Sequence, residues 1–191
     1  MQDTITKRMI RVKSMNVMNK ILYKVSAYLR CRVIRGPEQQ PYLERYHLIR
    51  LPFGIHIYLH RFVASDPGRA LHNHPWRAAI SLVLSGQYNE TRLTQKSNET
   101  ELCKRQLGPG SVNFISGKIY HRINLQQKEE AWTLFIHTAS HRSWGFLETQ
   151  HRQFSYTDHN QQLSGISNPT WWKTALRPYQ QPEMRTSASH T

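Results

Sequence analysis

The chain has 191 residues, enough for one domain with a real core and short for two. Hydrophobic residues make up 38% and charged residues 20%, a globular balance, and no apolar run of about 18 residues is present, which excludes a transmembrane helix. The formal net charge is +14, and residues 1–50 alone carry eleven Lys/Arg against three Asp/Glu, so most of the excess sits in a basic flank.

That flank has no uninterrupted apolar stretch followed by a small-residue cleavage site, so no secretory signal is expected. Cys31 and Cys103 are far apart and lack metal spacing, which fits a reducing compartment better than a disulfide scaffold; the expected address is the cytoplasm. Two functional readings of the flank stay open, contact with nucleic acid and contact with an anionic membrane surface or partner. Against them stands a basic amphipathic helix simply packed on the rest, since no nucleic-acid module or aromatic-basic interleaving is present. A homodimer is also left open.

In chain order, Met18, Ile21, Leu22, Val25 and Leu29 recur at helical spacing and predict a helix over about 15–31, ended before Gly36-Pro37. From Tyr46 to Val63 the period becomes two, with Ile55, Ile57 and Leu59 on one face and His56, Tyr58 and His60 on the other. Asp66-Pro67-Gly68 closes that strand. Short strands are then predicted at 77–84, 87–94, 102–107, 111–115, 119–125 and 132–138, most bounded by Gly, Pro, Asn or Ser. Serial strands without intervening helices predict an all-β antiparallel sandwich or barrel. Beyond about Gln150 the chain turns polar and Gln-rich, residues 180–191 read as a tail, and Trp171-Trp172 is expected to dock this extension. The predicted organisation is a basic helical segment 1–34, a barrel 35–160 and an extension 161–191.

His72-Asn73-His74 carries the chemistry. Residues two apart on a strand point the same way, so both imidazoles can converge, and a third ligand must come from another strand. His121 fits, on a strand whose odd positions share one face.

These residues resemble the two motifs of the cupin superfamily. Its first motif is a Gly, five residues, His-x-His, three or four residues, Glu, six residues and Gly; here His72-x-His74 is followed by Gly86 at that distance, with Ala79 in the place of Glu and Gly68 displaced. In its second motif Gly110 and His121 have the required separation. Ser116 and Lys118 replace the Pro and second Gly, and Asn124 falls one residue early. From about Arg35 to Tyr156 the chain also looks like small bacterial and phage cupins, through Asp66-Pro67-Gly68-Arg69, Leu71-His72-Asn73-His74-Pro75-Trp76, His121-Arg122, Trp132-Thr133-Leu134-Phe135 and Trp144-Gly145-Phe146. The group usually has Asp at position 73, which points away from the metal.

The resemblance implies a cupin (double-stranded β-helix, jelly-roll) barrel holding one divalent metal through His72, His74 and His121. With Ala79 unable to ligate, the site is similar to the three-histidine thiol dioxygenases. That implies a non-haem Fe(II) oxygenase acting on a small anionic or thiol-bearing molecule, with Zn(II), Mn(II) or Ni(II) as other metals. An isomerase- or epimerase-like cupin without oxygen chemistry and a ligand-sensing module are the other readings. Tyr58, Arg61 and Tyr88 are the expected substrate-handling residues, because Arg suits carboxylate or phosphate and Tyr can donate a proton. His60 and His137 could be a fourth ligand, a proton shuttle or partners of the ligands, though core or surface placement is the simpler reading.

Overall fold

A computed structural model describes residues 17–96, 99–126, 129–150, 153–158, 168 and 170–187. Helix α1 spans Val17–Ser26, and twelve strands follow: β1 (Arg30–Arg35), β2 (Pro41–Leu51), β3 (Ile55–Phe62), β4 (Leu71–His72), β5 (Ala78–Gly86), β6 (Tyr88–Lys96), β7 (Glu99–Leu107), β8 (Val112–Ser116), β9 (His121–Asn124), β10 (Ala131–His137), β11 (Gly145–Gln150) and β12 (Gln153–Asp158). A single-turn helix, α2, covers Trp171–Thr174. Among the described residues no helix is long and apolar enough to cross a membrane.

Two six-stranded sheets form, one ordered β1-β2-β3-β10-β5-β8 and the other β12-β11-β4-β9-β6-β7. Every pair is antiparallel. Count the strands from β3 to β10 as one to eight, and the central sheet orders become 1-8-3-6 and 2-7-4-5. That interleaving is the jelly roll. β1 and β2 extend one sheet, and β11 and β12 extend the other.

Burial alternates as the pleat requires. On β5 the inward residues Ala79, Ser81 and Val83 are buried, and on β8 Asn113 and Ile115 are. Leu43, Phe62, Val83, Tyr88, Leu107, Ile123 and Ala131 fill one part of the interior. Tyr58, Trp76, Ala79, Ile115, Phe135 and Trp171 fill another. A third cluster, Cys31, Tyr46, Leu59 and Trp132, lies on the outer face of the first sheet beneath Leu22 and Tyr23 of α1.

The structure departs from the sequence expectations in several places. The helix stops at Ser26, and the β-branched run from Arg30 pairs with β2 instead of continuing it. α1 also turns Asn19 and Ser26 inward while Met18, Ile21 and Val25 stay exposed. What docks it is Tyr23, whose ring lies under the Arg185 and Arg61 guanidiniums at 3.6 and 4.9 Å. The single strand expected over 46–63 is a hairpin, because Pro52-Phe53-Gly54 makes a turn in which Phe53 and Gly54 have φ of 61° and 70°. β11 and β12 were not anticipated. Residues 182–187 are packed against the barrel, whereas 188–191 lie outside the described residues. The Trp171–Trp172 pair does dock on the interior cluster.

Candidate metal centre

β4 and β9 pair directly, and His72 and His121 are register partners. His74 follows two residues after His72, so the three imidazoles meet: one ring nitrogen from each lies within 4.8 Å of the others. His74 Nε2 and His121 Nε2 are 2.8 Å apart. Two imidazole nitrogens bound about 2.1 Å from one ion at right angles would be about 3 Å apart, so the spacing suits neighbouring ligands of a shared metal. Burial, and the neighbouring imidazoles with it, holds His72 and His74 well below the usual histidine range, leaving them neutral and able to donate a lone pair. Both keep some exposure, whereas His121 is buried.

No motif pointed to the carboxylate behind this group. Glu90, fully buried on β6, accepts the His121 Nδ1 proton at 2.6 Å. This fixes the tautomer and leaves His121 Nε2 bare toward the other two rings, the usual way a carboxylate orients a metal-binding histidine. Burial alone would raise the Glu90 carboxyl, but hydrogen bonds from His121, Arg105 and Arg92 outweigh it and hold the group well below the ordinary range. Asn113 Nδ2 donates to Glu90 as well, and its Oδ1 accepts from Arg92 and Arg105. The sequence signal was parity: Tyr88, Glu90 and Arg92 share the inward face of β6.

Other parts of the cradle are local. Asp66 Oδ2 lies 3.7 Å from His72 Nδ1 and accepts the Ile123 amide proton at 2.7 Å, tying the loop before β4 to β9. Asn73 points the other way, its Oδ1 accepting from Gly145 N at 2.8 Å. Gly117 approaches the carbonyls of His74 and Trp76 so closely that any Cβ would strike them. It occupies the position between Ser116 and Lys118, where the expected Pro and Gly are missing.

The expected substrate-handling residues separate. Tyr58 is on the inner face, but Trp76 and His137 stand between it and the ligands: His74 stacks on Trp76 at 4.5 Å, Trp76 on His137 at 4.3 Å, and His137 on Tyr58 at 5.5 Å. Tyr88 is buried beside Phe62 in the other interior cluster. Arg61 requires correction. It lies on the outer face, between Glu44 (3.2 Å) and Glu130 (2.6 Å), and donates to the carbonyls of Thr186 and Ser187, so it anchors the C-terminal segment instead of reading substrate. His60 accepts from Arg45 and His137 pairs with the Thr138 carbonyl, so neither joins the three-histidine group. Ala79 is buried beside Trp76 and offers no ligand atom.

No family model matches the chain, and no curated protein matches it. Solved structures do resemble it. Hydroxypropylphosphonic acid epoxidase from S. wedmorenis is 13% identical with a TM-score of 0.42, over 56% of this chain and 55% of that one. An oxalate oxidase is 18% identical with a TM-score of 0.43, over 56% of each. The Cnp3 cupin domain of Schizosaccharomyces pombe is 13% identical with a TM-score of 0.38, over 51% of this chain and 61% of that one. The chain thus spans little more than half the length of these proteins. The deciding observation is internal: jelly-roll strand order with His-x-His starting at the end of the second strand and a facing histidine on the seventh. The fold is that of the cupins.

Burying histidines has a consequence for the chain in its metal-free form. His137 is pushed down to about 4 by burial, against 6.5 when unfolded. Between those values the unfolded chain binds the additional proton, so stability is lost as pH falls from 6.5 toward 4, by about 3 kcal/mol for such a shift. His60 shifts in the same direction. Asp66, pushed up to about 6 by burial, opposes them, because its protonation below pH 6 favours the folded state. With the histidines in the majority, the urea midpoint of the metal-free protein should drop between pH 6.5 and 5. A midpoint that holds or rises over that interval would contradict this balance.

Proposed function

We propose that this cupin is a metal-dependent enzyme, a non-haem Fe(II) oxygenase acting on a small anionic or thiol-bearing molecule. The supporting observation is the donor set: three imidazoles, two from the β4 segment and one from β9, with no carboxylate among them. Such a set leaves the ion its full positive charge and keeps positions open for an anionic substrate and a second small molecule. When bound, iron supplies the redox chemistry. The resemblance to three-histidine thiol dioxygenases supports iron, since imidazole suits several divalent metals.

The chain's own residues have separable tasks in this reading. Glu90 keeps His121 in the metal-binding tautomer. Trp76 and Trp144, stacked on His74, and Phe135 behind Trp76 keep the interior apolar and limit water. Tyr58 and His137 line the interior beyond Trp76, where the non-reacting part of a substrate would rest.

The test is anaerobic reconstitution with Fe(II), followed by oxygen-electrode screening of small thiols, carboxylates and phosphate esters. The expected result is compound-dependent oxygen uptake that His121→Ala abolishes. Turnover without oxygen uptake, equally good with zinc or manganese, would contradict it and favour an isomerase- or epimerase-like reaction. Saturable ligand binding without turnover would favour a sensing module.

A further inference from the structure

Removing Arg61 from the interior leaves the question of which cation faces a substrate. Arg45, on the inner face of β2, pairs in register with Arg32 of β1 on one side and with His60 of β3 on the other. His60 pairs in turn with Thr133 of β10, so Arg32, Arg45, His60 and Thr133 form one row across the inner surface of the sheet. Like charges directly opposite one another destabilise a sheet. Among the described residues no carboxylate pairs with either arginine.

The few contacts in the row leave its donors available. Arg45 Nε donates to His60 Nε2 at 3.0 Å, and its guanidinium lies 5.4 Å from the Tyr58 ring centroid. The remaining guanidinium N–H groups have no acceptor among the described residues. His60, accepting at Nε2, carries its proton on Nδ1. Thr133, with 0% exposure, has a hydroxyl with no hydrogen-bond partner, an arrangement that costs stability unless something occupies it. His60 stacks on Phe135 at 4.6 Å, Phe135 packs on Trp76 at 5.3 Å and Trp76 stacks on His74 at 4.5 Å, so the row and the three-histidine group face one continuous interior.

We propose that this row is an oxyanion site, and that the anion is a phosphate group of a small molecule gripped by Arg45 and Arg32. Two adjacent guanidiniums match a phosphate dianion in charge, and their planar forks match its oxygens. The Thr133 hydroxyl and His60 Nδ1–H are the further donors in the row. The proposal deepens the metal-enzyme reading by naming its substrate class, but the anion site does not need the metal in order to exist.

Calorimetric titration of the metal-free, full-length protein with inorganic phosphate, at constant ionic strength set by chloride, tests it. Saturable binding is expected, weakened about tenfold or more by Arg45→Gln and by Arg32→Gln, with Arg45→Lys between. Because the Arg32 side chain has no acceptor among the described residues and faces another arginine, Arg32→Gln should melt at or above the wild-type temperature, so its result stands even if Arg45→Gln folds poorly. Absence of phosphate binding, or wild-type affinity in Arg32→Gln, overturns the proposal. Acetate binding as tightly as phosphate overturns the phosphate assignment. His121→Ala should keep phosphate binding while losing metal, so failure here and failure of the metal centre are told apart.

Discussion

Replacing His72, His74 or His121 singly by alanine should take the metal content from about one ion per chain to near zero after dialysis against a weak chelator. Two ligands come from the β4 segment and one from β9, so any single loss leaves a two-point site open to water. His141→Ala is the control: its side chain is exposed, bonded to the Pro75 carbonyl, and outside the three-histidine group. Elemental analysis of the purified variants reads the result. Full metal content in all three ligand variants, or loss in His141→Ala, would contradict the assignment.

The second large effect is expected from Glu90→Ala. Removing the carboxylate leaves the His121 Nδ1 proton, the Arg92 and Arg105 guanidiniums and the Asn113 amide without their shared acceptor. Breaking a buried ion pair from one side costs about 3–5 kcal/mol, and losing the carboxylate behind a metal-bound histidine weakens affinity by roughly 10- to 100-fold. Urea denaturation of the metal-free variant measures the first effect, and competition with a chelator measures the second. Glu90→Gln keeps an acceptor oxygen but no charge, and should lie between wild type and alanine in both assays. Wild-type stability together with wild-type metal affinity in Glu90→Ala would show that the carboxylate supports neither the fold nor the centre.

The grouping of the three histidines could be read from sequence because its signal is local: His-x-His puts two side chains on one face, and the spacing from Gly110 picks out the third. Gly86 was legible for a similar reason. It adopts a φ of 71° and sits against the Glu130 carbonyl, where no Cβ fits. Parity put Glu90 on the inward face of β6 but could not mark its role, because a buried carboxylate looks like any alternating polar residue until the neighbouring strand β9 supplies its histidine. Arg61 was misassigned although parity already placed it with Ile57 and Leu59, opposite Tyr58 and His60; the outer face proved to be covered by α1 and residues 182–187. The Arg32–Arg45 row depends on pairing between strands, one of which, β1, begins inside the expected helix 15–31. β12 has little apolar content and pairs only at the sheet edge with β11, so no alternating hydrophobic signal marked it.

The most direct measurement on the centre is X-ray absorption of the protein loaded with one equivalent of Fe(II) or Zn(II). Three imidazole nitrogens at about 2.1 Å, completed by water or buffer oxygen and with no sulfur, are expected around the ion. The three-imidazole signature should disappear in His121→Ala. A sulfur ligand, or fewer than three imidazoles in the wild-type protein, would contradict the three-histidine centre.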